Sequence, residues 1–246
     1  MRNDAGVVTI NCDLGEKCDG SDLVLMPWLD LANVACGGHA GDEKTIRRAV
    51  IEAKNHSVRL GAHPGYPDKE RFGRVSLGLS LDDLTKSLIA QLEDIQRISN
   101  EEGMEVTYVK PHGALYHDLM GSHEILRAVI VAITETTSAR SLMISATHPK
   151  LGQVTEAAEC LGFSLILEAF CDRAYQADGQ LLDRSHPNSL LSVPDDIFNR
   201  FRDLSEKEGV WNCEGEWMTL KADTVCVHGD NPVAFDALKL INAGRF

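Results

Sequence analysis

The chain has 246 residues, of which 43% are hydrophobic, and its 24 Lys and Arg against 37 Asp and Glu give a net charge of −13. This acidic balance argues against binding to nucleic acid or to a membrane surface, because both need a basic patch. No apolar run approaches the roughly 20 residues of a membrane span, and the start M-R-N-D-A-G-V-V lacks a signal-peptide core. Seven cysteines without a C-x-x-C pair are typical of a reducing compartment, so we expect a cytoplasmic protein.

Seven short runs rich in apolar and β-branched residues are predicted to be strands. In chain order they are Val7–Ile10, Leu31–Cys36, Val58–Leu60, Val106–Val109, Leu142–Ser145, Leu165–Phe170 and Thr224–Val227. Most are nearly continuous rather than alternating, as expected of parallel strands that are covered on both faces.

Helices are predicted between these runs from apolar residues at helical spacing. The longest stripe runs from Leu81 to Ile98, with Ser80 as an N-cap and Gly103 as a stop. Asp42 is expected to cap a helix in the same way. Shorter stripes cover 46–53, 125–133, 151–161, 197–204 and 235–241. The region Asp172–Glu216 is the least regular, and we predict a long loop with one helix there.

Alternation of strand and helix predicts right-handed βαβ units and a parallel sheet. Seven strands in a chain of this size favour a closed or nearly closed β/α barrel, with a doubly wound open sheet as the competing architecture. No linker rich in Pro, Gly or Ser interrupts the chain, so we expect one domain over residues 1–246. In both architectures the functional groups lie beyond the carboxyl ends of the strands.

Polar and ionisable residues follow all seven predicted strands. They are Asn11, Asp13 and Glu16; Asn33, His39 and Asp42; His63, Asp68 and Arg74; Lys110, His112 and Tyr116; His148; Glu168, Asp172 and Arg173; and His228 and Asp230. The amino ends of the same strands carry far fewer such residues, and this asymmetry indicates a functional site at one end of the fold.

Several of these residues have a simpler interpretation. Asp42 and Asp230 are interpreted as helix caps or turn formers, and His56, His117 and His123 as structural or surface residues. The site interpretation is favoured for four residues, namely Asp13, His63, Lys110 and His112. The last two stand in the stretch V-K-P-H-G, two positions apart, so their side chains should point the same way.

The residue types limit the chemistry. Histidines and aspartates from different strands can hold a divalent metal, and lysine with arginine can hold a phosphorylated intermediate. The chain has no H-E-x-x-H, no G-x-S-x-G, no Walker-type ATP loop and no G-x-G-x-x-G. Cys12 and Cys36 are more simply buried small hydrophobes than nucleophiles. These observations predict hydrolysis or proton transfer on a small polar substrate.

Six motifs, in order along nearly the whole chain, resemble the LamB/YcsF family. They are N-C-D-L-G-E, N-V-A-C-G-G-H-A-G-D, G-A-H-P-G-Y-P-D with F-G-R, V-K-P-H-G-A-L-Y, D-R-A-Y with G-Q-L-L-D-R, and V-C-V-H-G-D-N-P. A few positions depart from the family pattern. Gly38 stands where an aromatic is usual, Lys17 and Cys18 replace a small residue and Phe, and Arg71 and Val75 flank F-G-R where the family commonly reads G-F-G-R-R.

The resemblance implies a seven-stranded β/α (TIM-like) barrel of the glycoside hydrolase/deacetylase type. It also implies an ATP-dependent 5-oxoprolinase reaction, in which 5-oxoproline, ATP and water give glutamate, ADP and phosphate. The family works with two partner subunits, B and C, and the hypothesis leaves ATP bound partly or wholly by those partners.

On this hypothesis the catalytic residues are Asp13, His63, Lys110 and His112, and the substrate-binding residues are Asn11, Glu16, Asn33, His39, Arg74, Tyr116, Asp172 and Arg173. Asp13 or His63 would act as general base on water, and Lys110 with Arg173 would hold the phosphate or the substrate carboxylate. His112 would protonate the ring nitrogen or complete a divalent metal site with Asp13 and His63.

Two other classes of function stay open at this point. One is a stand-alone metal-dependent deacetylase or amidase, because the supply of Asp and His suits such an enzyme. The other is a non-catalytic subunit that binds the lactam and docks on partners. Acids and bases that converge on one barrel mouth are not needed for docking, so this class ranks last.

Overall fold

The computed structural model describes residues 8–245. Its strands are β1 (Thr9–Leu14), β2 (Leu31–Ala35), β3 (Arg59–His63), β4 (Val106–Val109), β5 (Ser141–Ser145), β6 (Ser164–Phe170), β7 (Gly209–Trp211), β8 (Trp217–Thr219) and β9 (Thr224–Cys226). Seven of them form a closed parallel barrel in the order β1-β2-β3-β4-β5-β6-β9. The predicted barrel is therefore confirmed, and the open sheet is excluded.

Two barrel strands are longer than predicted. β1 runs to Leu14 rather than Ile10, and β3 runs to His63 rather than Leu60. Asn11, Asp13 and His63 thus belong to strands instead of following them. The barrel wall carries polar side chains near its carboxyl end, and these interrupt the apolar signal on which the prediction relied. Val7, the first residue of the predicted run, lies outside the described residues.

The helices are α1 (Glu43–Asn55), α2 (Leu81–Glu102), α3 (Gly113–Gly121), α4 (His123–Thr136), α5 (Leu151–Cys160), α6 (Pro194–Glu206) and α7 (Ala234–Ala243), with a 3-10 helix at Ser21–Trp28. The predicted ends of α1 and α2 are confirmed. Asp42 accepts a hydrogen bond from the Thr45 backbone in a reciprocal capping box, Ser80 accepts one from the Asp83 backbone, and Gly103 ends α2 in the left-handed conformation. Within residues 8–245, no helix combines the length and the apolar character that crossing a bilayer requires.

The region Asp172–Glu216 is more ordered than predicted. After β6 the chain forms a loop held by isolated bridges between Arg173 and Leu190 and between Tyr175 and Leu181. The expected helix follows as α6. The short antiparallel pair β7–β8 then follows, which the sequence analysis missed because its two strands have three residues each.

A small apolar cluster fills the barrel interior. It consists of Leu31, Tyr108, Met143 and Ile166. Gly61 makes room for the Tyr108 ring, since a Cβ at Gly61 would lie 2.2 Å from it. The Tyr108 hydroxyl donates to Asn33 Oδ1 at 2.7 Å, which links the cluster to the polar layer of the wall. The polar residues of β1–β4 therefore rest on a packed floor.

Candidate active site

A cavity of about 580 Å³ opens at the carboxyl ends of the barrel strands. Eight of the residues expected at the site line it: Asp13, Glu16, His63, Arg74, Lys110, His112, Tyr116 and Arg173. They come from four different strands or the loops that follow them, so barrel closure brings them together.

Lys110 lies at the centre of this group, between two carboxylates. Its Nζ is 2.8 Å from Asp13 Oδ1 and 2.8 Å from Glu168 Oε1, and the lysine is only 3% exposed. Burial alone would lower the pKa of Lys110, but Asp13, then Cys226 and Glu168, raise it well above its usual value. Lys110 is therefore a permanent cation and not an amine nucleophile. Tyr116 donates to the other oxygen of Glu168 at 2.9 Å.

Asp13 is ionised and firmly oriented. Its Oδ1 accepts hydrogen bonds from Lys110 and from Asn33 Nδ2, both at 2.8 Å, and its Oδ2 is 3.4 Å from His63 Nε2. Burial would raise the pKa of Asp13, but His63 and Lys110 hold it well below its ordinary value. A charged carboxylate thus stands in the cavity wall.

Asn11 and Asn33 do not reach the cavity, although both were expected to bind substrate. They are fully buried, and Asn33 Nδ2 also donates to Asn11 Oδ1 at 2.8 Å. Asn11 in turn donates to Thr224 Oγ1 at 3.0 Å. The two amides lie beneath Asp13 and orient its carboxylate, because alternate strand residues occupy different positions in the barrel wall.

The ring protons of His63 and His112 follow from their backbone partners. His63 Nδ1 donates to the Lys110 carbonyl at 2.7 Å, and His112 Nε2 donates to the Phe72 carbonyl at 2.9 Å. The remaining nitrogens, His63 Nε2 and His112 Nδ1, are 2.9 Å apart, so one of them must carry a proton. Burial and then His63 lower the pKa of His112 to about 2. Asp13 raises the pKa of His63 despite burial, so His63 donates to His112.

Glu16 and His39 complete a cluster with these two histidines. Glu16 Oε1 is 3.1 Å from His39 Nε2, 3.3 Å from His112 Nδ1 and 3.8 Å from His63 Nε2. A tetrahedral metal with ligands at about 2.0–2.1 Å has about 3.3 Å between ligand atoms. The four side chains therefore already have the spacing of a single metal site.

The chemistry of this cluster also fits a divalent cation. His63 and His112 each use the second ring nitrogen on a backbone carbonyl, as metal-binding histidines commonly do. Burial lowers the pKa of His39 well below its ordinary value, which keeps it neutral, and its ring stacks on His112 with centroids 3.6 Å apart. We expected Asp13, His63 and His112 as ligands; the cluster keeps the two histidines and brings in Glu16 and His39 instead of Asp13.

A second group of candidate ligands, Asp13, Cys226 and His228, is better explained without a metal. Their ligand atoms lie within 4.8 Å of one another. However, Lys110 Nζ is 2.8 Å from Asp13 and 3.6 Å from Cys226 Sγ. The lysine ammonium already supplies the positive charge that these groups would offer a metal.

Charged residues from three loops meet at the rim of the cavity. Asp230 Oδ2 is 2.7 Å from Arg184 and 3.5 Å from Arg74. Asp230 was interpreted as a helix cap or turn former, but α7 begins only at Ala234, and the aspartate instead bridges two arginines. Arg173 lines the cavity yet donates to the carbonyls of Ser189 and Leu182, so it mainly braces its own loop.

His39 and Asp172, both expected to bind substrate, lie behind the cavity wall. His39 is 1% exposed and Asp172 fully buried. Asp172 bonds to the loop after β9 through the backbone and side chain of His228. His228 itself lines the cavity but was not among the expected site residues. His56, His117 and His123 are exposed, as predicted, although His117 borders the outer cavity.

Gly38, the departure in the second motif, has a structural explanation. A Cβ at this position would lie 2.2 Å from Gln91 Oε1. The Gln91 side chain occupies that space and holds Gly65 through both backbone groups, at 3.1 and 2.9 Å. A glutamine from α2 therefore supports the turn after His63, beside the site.

Together, the fold and the site define a β/α-barrel protein with paired acids, histidines and a buried lysine at the strand ends. The LamB/YcsF family model matches residues 8–244, and the chain belongs to the LamB/YcsF family. Its relatives include the A subunit of 5-oxoprolinase from Vibrio cholerae, 37% identical over 96% of both chains. Another is the third numbered A subunit of 5-oxoprolinase from Pseudomonas aeruginosa, 40% identical over 98% of both.

Solved structures agree with this assignment. A lactam utilization protein from Thermus thermophilus superposes with a TM-score of 0.86 at 33% identity, over 96% of this chain and 94% of that one. A GH113 β-1,4-mannanase superposes with a TM-score of 0.57 at 11% identity, over 96% and 98%. The mannanase supports the barrel fold alone.

Proposed function

We propose that this chain is the lactam-opening component of an ATP-dependent 5-oxoprolinase, which converts 5-oxoproline, ATP and water into glutamate, ADP and phosphate. The names of its relatives support a role in 5-oxoproline and lactam utilisation. The observation that carries the hydrolytic role is the ionised Asp13 in the cavity wall, fixed by the Lys110 ammonium and facing His63. A binding protein would not need this costly arrangement of buried charges.

The requirement for ATP follows from the substrate. A five-membered lactam is a stable amide, and water attacks it slowly. Transfer of a phosphoryl group to the amide oxygen makes the ring carbon a better electrophile. Water then adds to that carbon, the carbon–nitrogen bond breaks, and the nitrogen takes up a proton.

Each group of the cavity has a role in this scheme. Asp13, which stays ionised at neutral pH, accepts the proton of the attacking water. Lys110 places a fixed positive charge where negative charge develops on oxygen. Arg74 and Arg184 at the rim are suited to the phosphate or the carboxylate of the substrate.

The cluster of Glu16, His39, His63 and His112 would hold a divalent cation, which when bound supplies Lewis acidity and lowers the pKa of water. His112 completes this cluster rather than protonating the lactam, since its Nε2 proton is used by Phe72 and its Nδ1 faces His63. We propose that ATP is bound partly or wholly by partner subunits B and C, because the chain has no Walker-type loop.

The test measures glutamate release from 5-oxoproline by the purified chain, with and without subunits B and C and with and without ATP. We expect release only in the complete mixture. Asp13→Asn and His112→Ala should each reduce it by about 100-fold or more, while exposed His186→Gln serves as a matched control. Full activity in Asp13→Asn would refute the catalytic role and favour a non-catalytic lactam-binding component.

A second candidate is a stand-alone metal-dependent amidase or deacetylase, and the four-residue cluster favours it. Metal analysis of the purified chain tests the cluster directly, with His39→Ala as the variant that should lose the ion. ATP-independent cleavage of a small amide that stops on chelation would favour this candidate over the 5-oxoprolinase.

A further inference from the structure

His228 differs from the three clustered histidines in what its ring nitrogens bind. It follows β9, lines the cavity, and its side chain is 13% exposed. Its Nδ1 is 2.9 Å from Asp172 Oδ1. Among the described residues 8–245, no hydrogen bond occupies its Nε2. His228 is thus a cavity histidine with one anchored and one free nitrogen.

Asp172 fixes the orientation of this ring. It is fully buried, and its second oxygen accepts from the His228 backbone at 3.1 Å and from Asn231 Nδ2 at 3.3 Å. The Phe170 ring lies parallel to the imidazole, with centroids 5.5 Å apart. Since a carboxylate can only accept, Asp172 holds the proton on Nδ1, and Nε2 exchanges its own proton with a ligand.

The position of His228 relative to Asp13 is the second observation. One ring nitrogen of His228 lies within 4.8 Å of an Asp13 carboxylate oxygen. In the hydrolysis of an amide, the attacking water and the leaving nitrogen are attached to the same carbon. A base that serves the water and an acid that serves the nitrogen must therefore stand close together, as Asp13 and His228 do.

We propose that His228 donates the proton to the lactam nitrogen as the ring opens, with Asp172 as its positioning residue. This inference rests on the proposed function. The electron pair of the breaking carbon–nitrogen bond takes the proton from His228 Nε2, and the product is an amine. His228 is left neutral, and the proton that Asp13 removed from water restores the balance through solvent. Asp172 stabilises the protonated ring before transfer.

The need for an acid depends on the leaving group, and this provides a selective test. A nitrogen anion is a very poor leaving group, whereas a thiolate leaves without a proton, since thiols have a pKa of about 8.5. A thiolactone analogue, in which sulfur replaces the ring nitrogen of 5-oxoproline, should therefore bypass His228 but still need Asp13.

The experiment compares both substrates in the chain assembled with subunits B and C and supplied with ATP. The variants His228→Gln and His228→Asn remove the proton donor, and the asparagine retains a donor to Asp172 close to the position of Nδ1. We expect each to reduce kcat on the lactam by about 100-fold or more and to reduce it on the thiolactone by at least about 10-fold less. Asp172→Asn should show the same selectivity with a smaller loss and an unchanged KM.

Two controls make the result decisive. Asp13→Asn should lose activity on both substrates equally, and His186→Gln should lose it on neither. Equal losses on the two substrates in both His228 variants, or full lactam activity in either, would overturn the proposal. If the wild-type complex cleaves neither substrate, the proposed function itself fails, and the assignment of His228 falls with it.

Discussion

Replacement of Lys110 by methionine tests whether the buried ion network contributes to stability. The substitution keeps the length of the side chain but removes the ammonium that lies 2.8 Å from both Asp13 and Glu168. Breaking a buried ion pair costs about 3–5 kcal/mol, because a charge is left uncompensated. Each acid keeps one neutral donor, Asn33 for Asp13 and Tyr116 for Glu168. We therefore expect the lower end of this range, about 3 kcal/mol.

This loss converts into a measurable shift of the melting temperature. The entropy of unfolding is about 2.1 cal/mol/K per residue, which gives about 0.5 kcal/mol/K for the whole chain of 246 residues. Lys110→Met should therefore lower Tm by about 6 °C in thermal melts followed by circular dichroism. Adding Glu168→Gln should recover part of the loss, because one uncompensated charge then disappears.

Lys86→Met is the matched control. Lys86 is 2.6 Å from Asp82, but both side chains are largely exposed, so its removal should change Tm by less than about 1 °C. Equal shifts for the two lysine variants, or a double variant less stable than the sum of its single changes, would refute the reasoning about the network.

Two further predictions concern a glycine and an acid. Gly113→Ala should destabilise the fold by about 2–4 kcal/mol, because Gly113 has φ +53° and a Cβ would lie 2.6 Å from the Gly73 carbonyl oxygen. Gly121→Ala, with no atom within 4 Å, should stabilise α3 slightly, and equal effects in denaturant melts would contradict this. Burial raises the pKa of Asp172, but His228 and its hydrogen bonds lower it below the ordinary value. The stability it contributes is therefore full above about pH 5 and lost as pH falls through the folded pKa. Urea melts across this range should show a flatter acid side in Asp172→Asn, and identical profiles would count against it.

The barrel could be predicted from sequence because its strands are buried on both faces and read as continuous apolar runs. Convergence of Asp13, His63, Lys110 and His112 was predictable for a related reason, since the carboxyl ends of parallel strands meet at one end of a barrel. What a strand-end pattern does not give is depth. Asn33 and Asp13 occupy adjacent strands in register, yet only Asp13 reaches the cavity.

The partnerships across the barrel were also beyond sequence reasoning. Glu16 and His39 come from loops after different strands, and only folding shows that their side chains meet at 3.1 Å. Asp172 and His228 were both recognised as polar residues near strand ends, but no local pattern reveals that one holds the other. Arg184 lies in an irregular loop, where neither helical nor strand periodicity indicates the direction of a side chain.

The separation of Lys110 from its partners along the chain has a consequence for folding. Lys110 and Asp13 are 97 residues apart, and the seam between β1 and β9 joins Asn11 to Thr224, 213 residues apart. Contacts of such long range form only after large loops have closed, which makes them slow. Until then the ammonium and its two acids remain hydrated and unpaired. The charged centre is thus a product of the chain's two ends coming together, and it exists only in molecules whose barrel has closed.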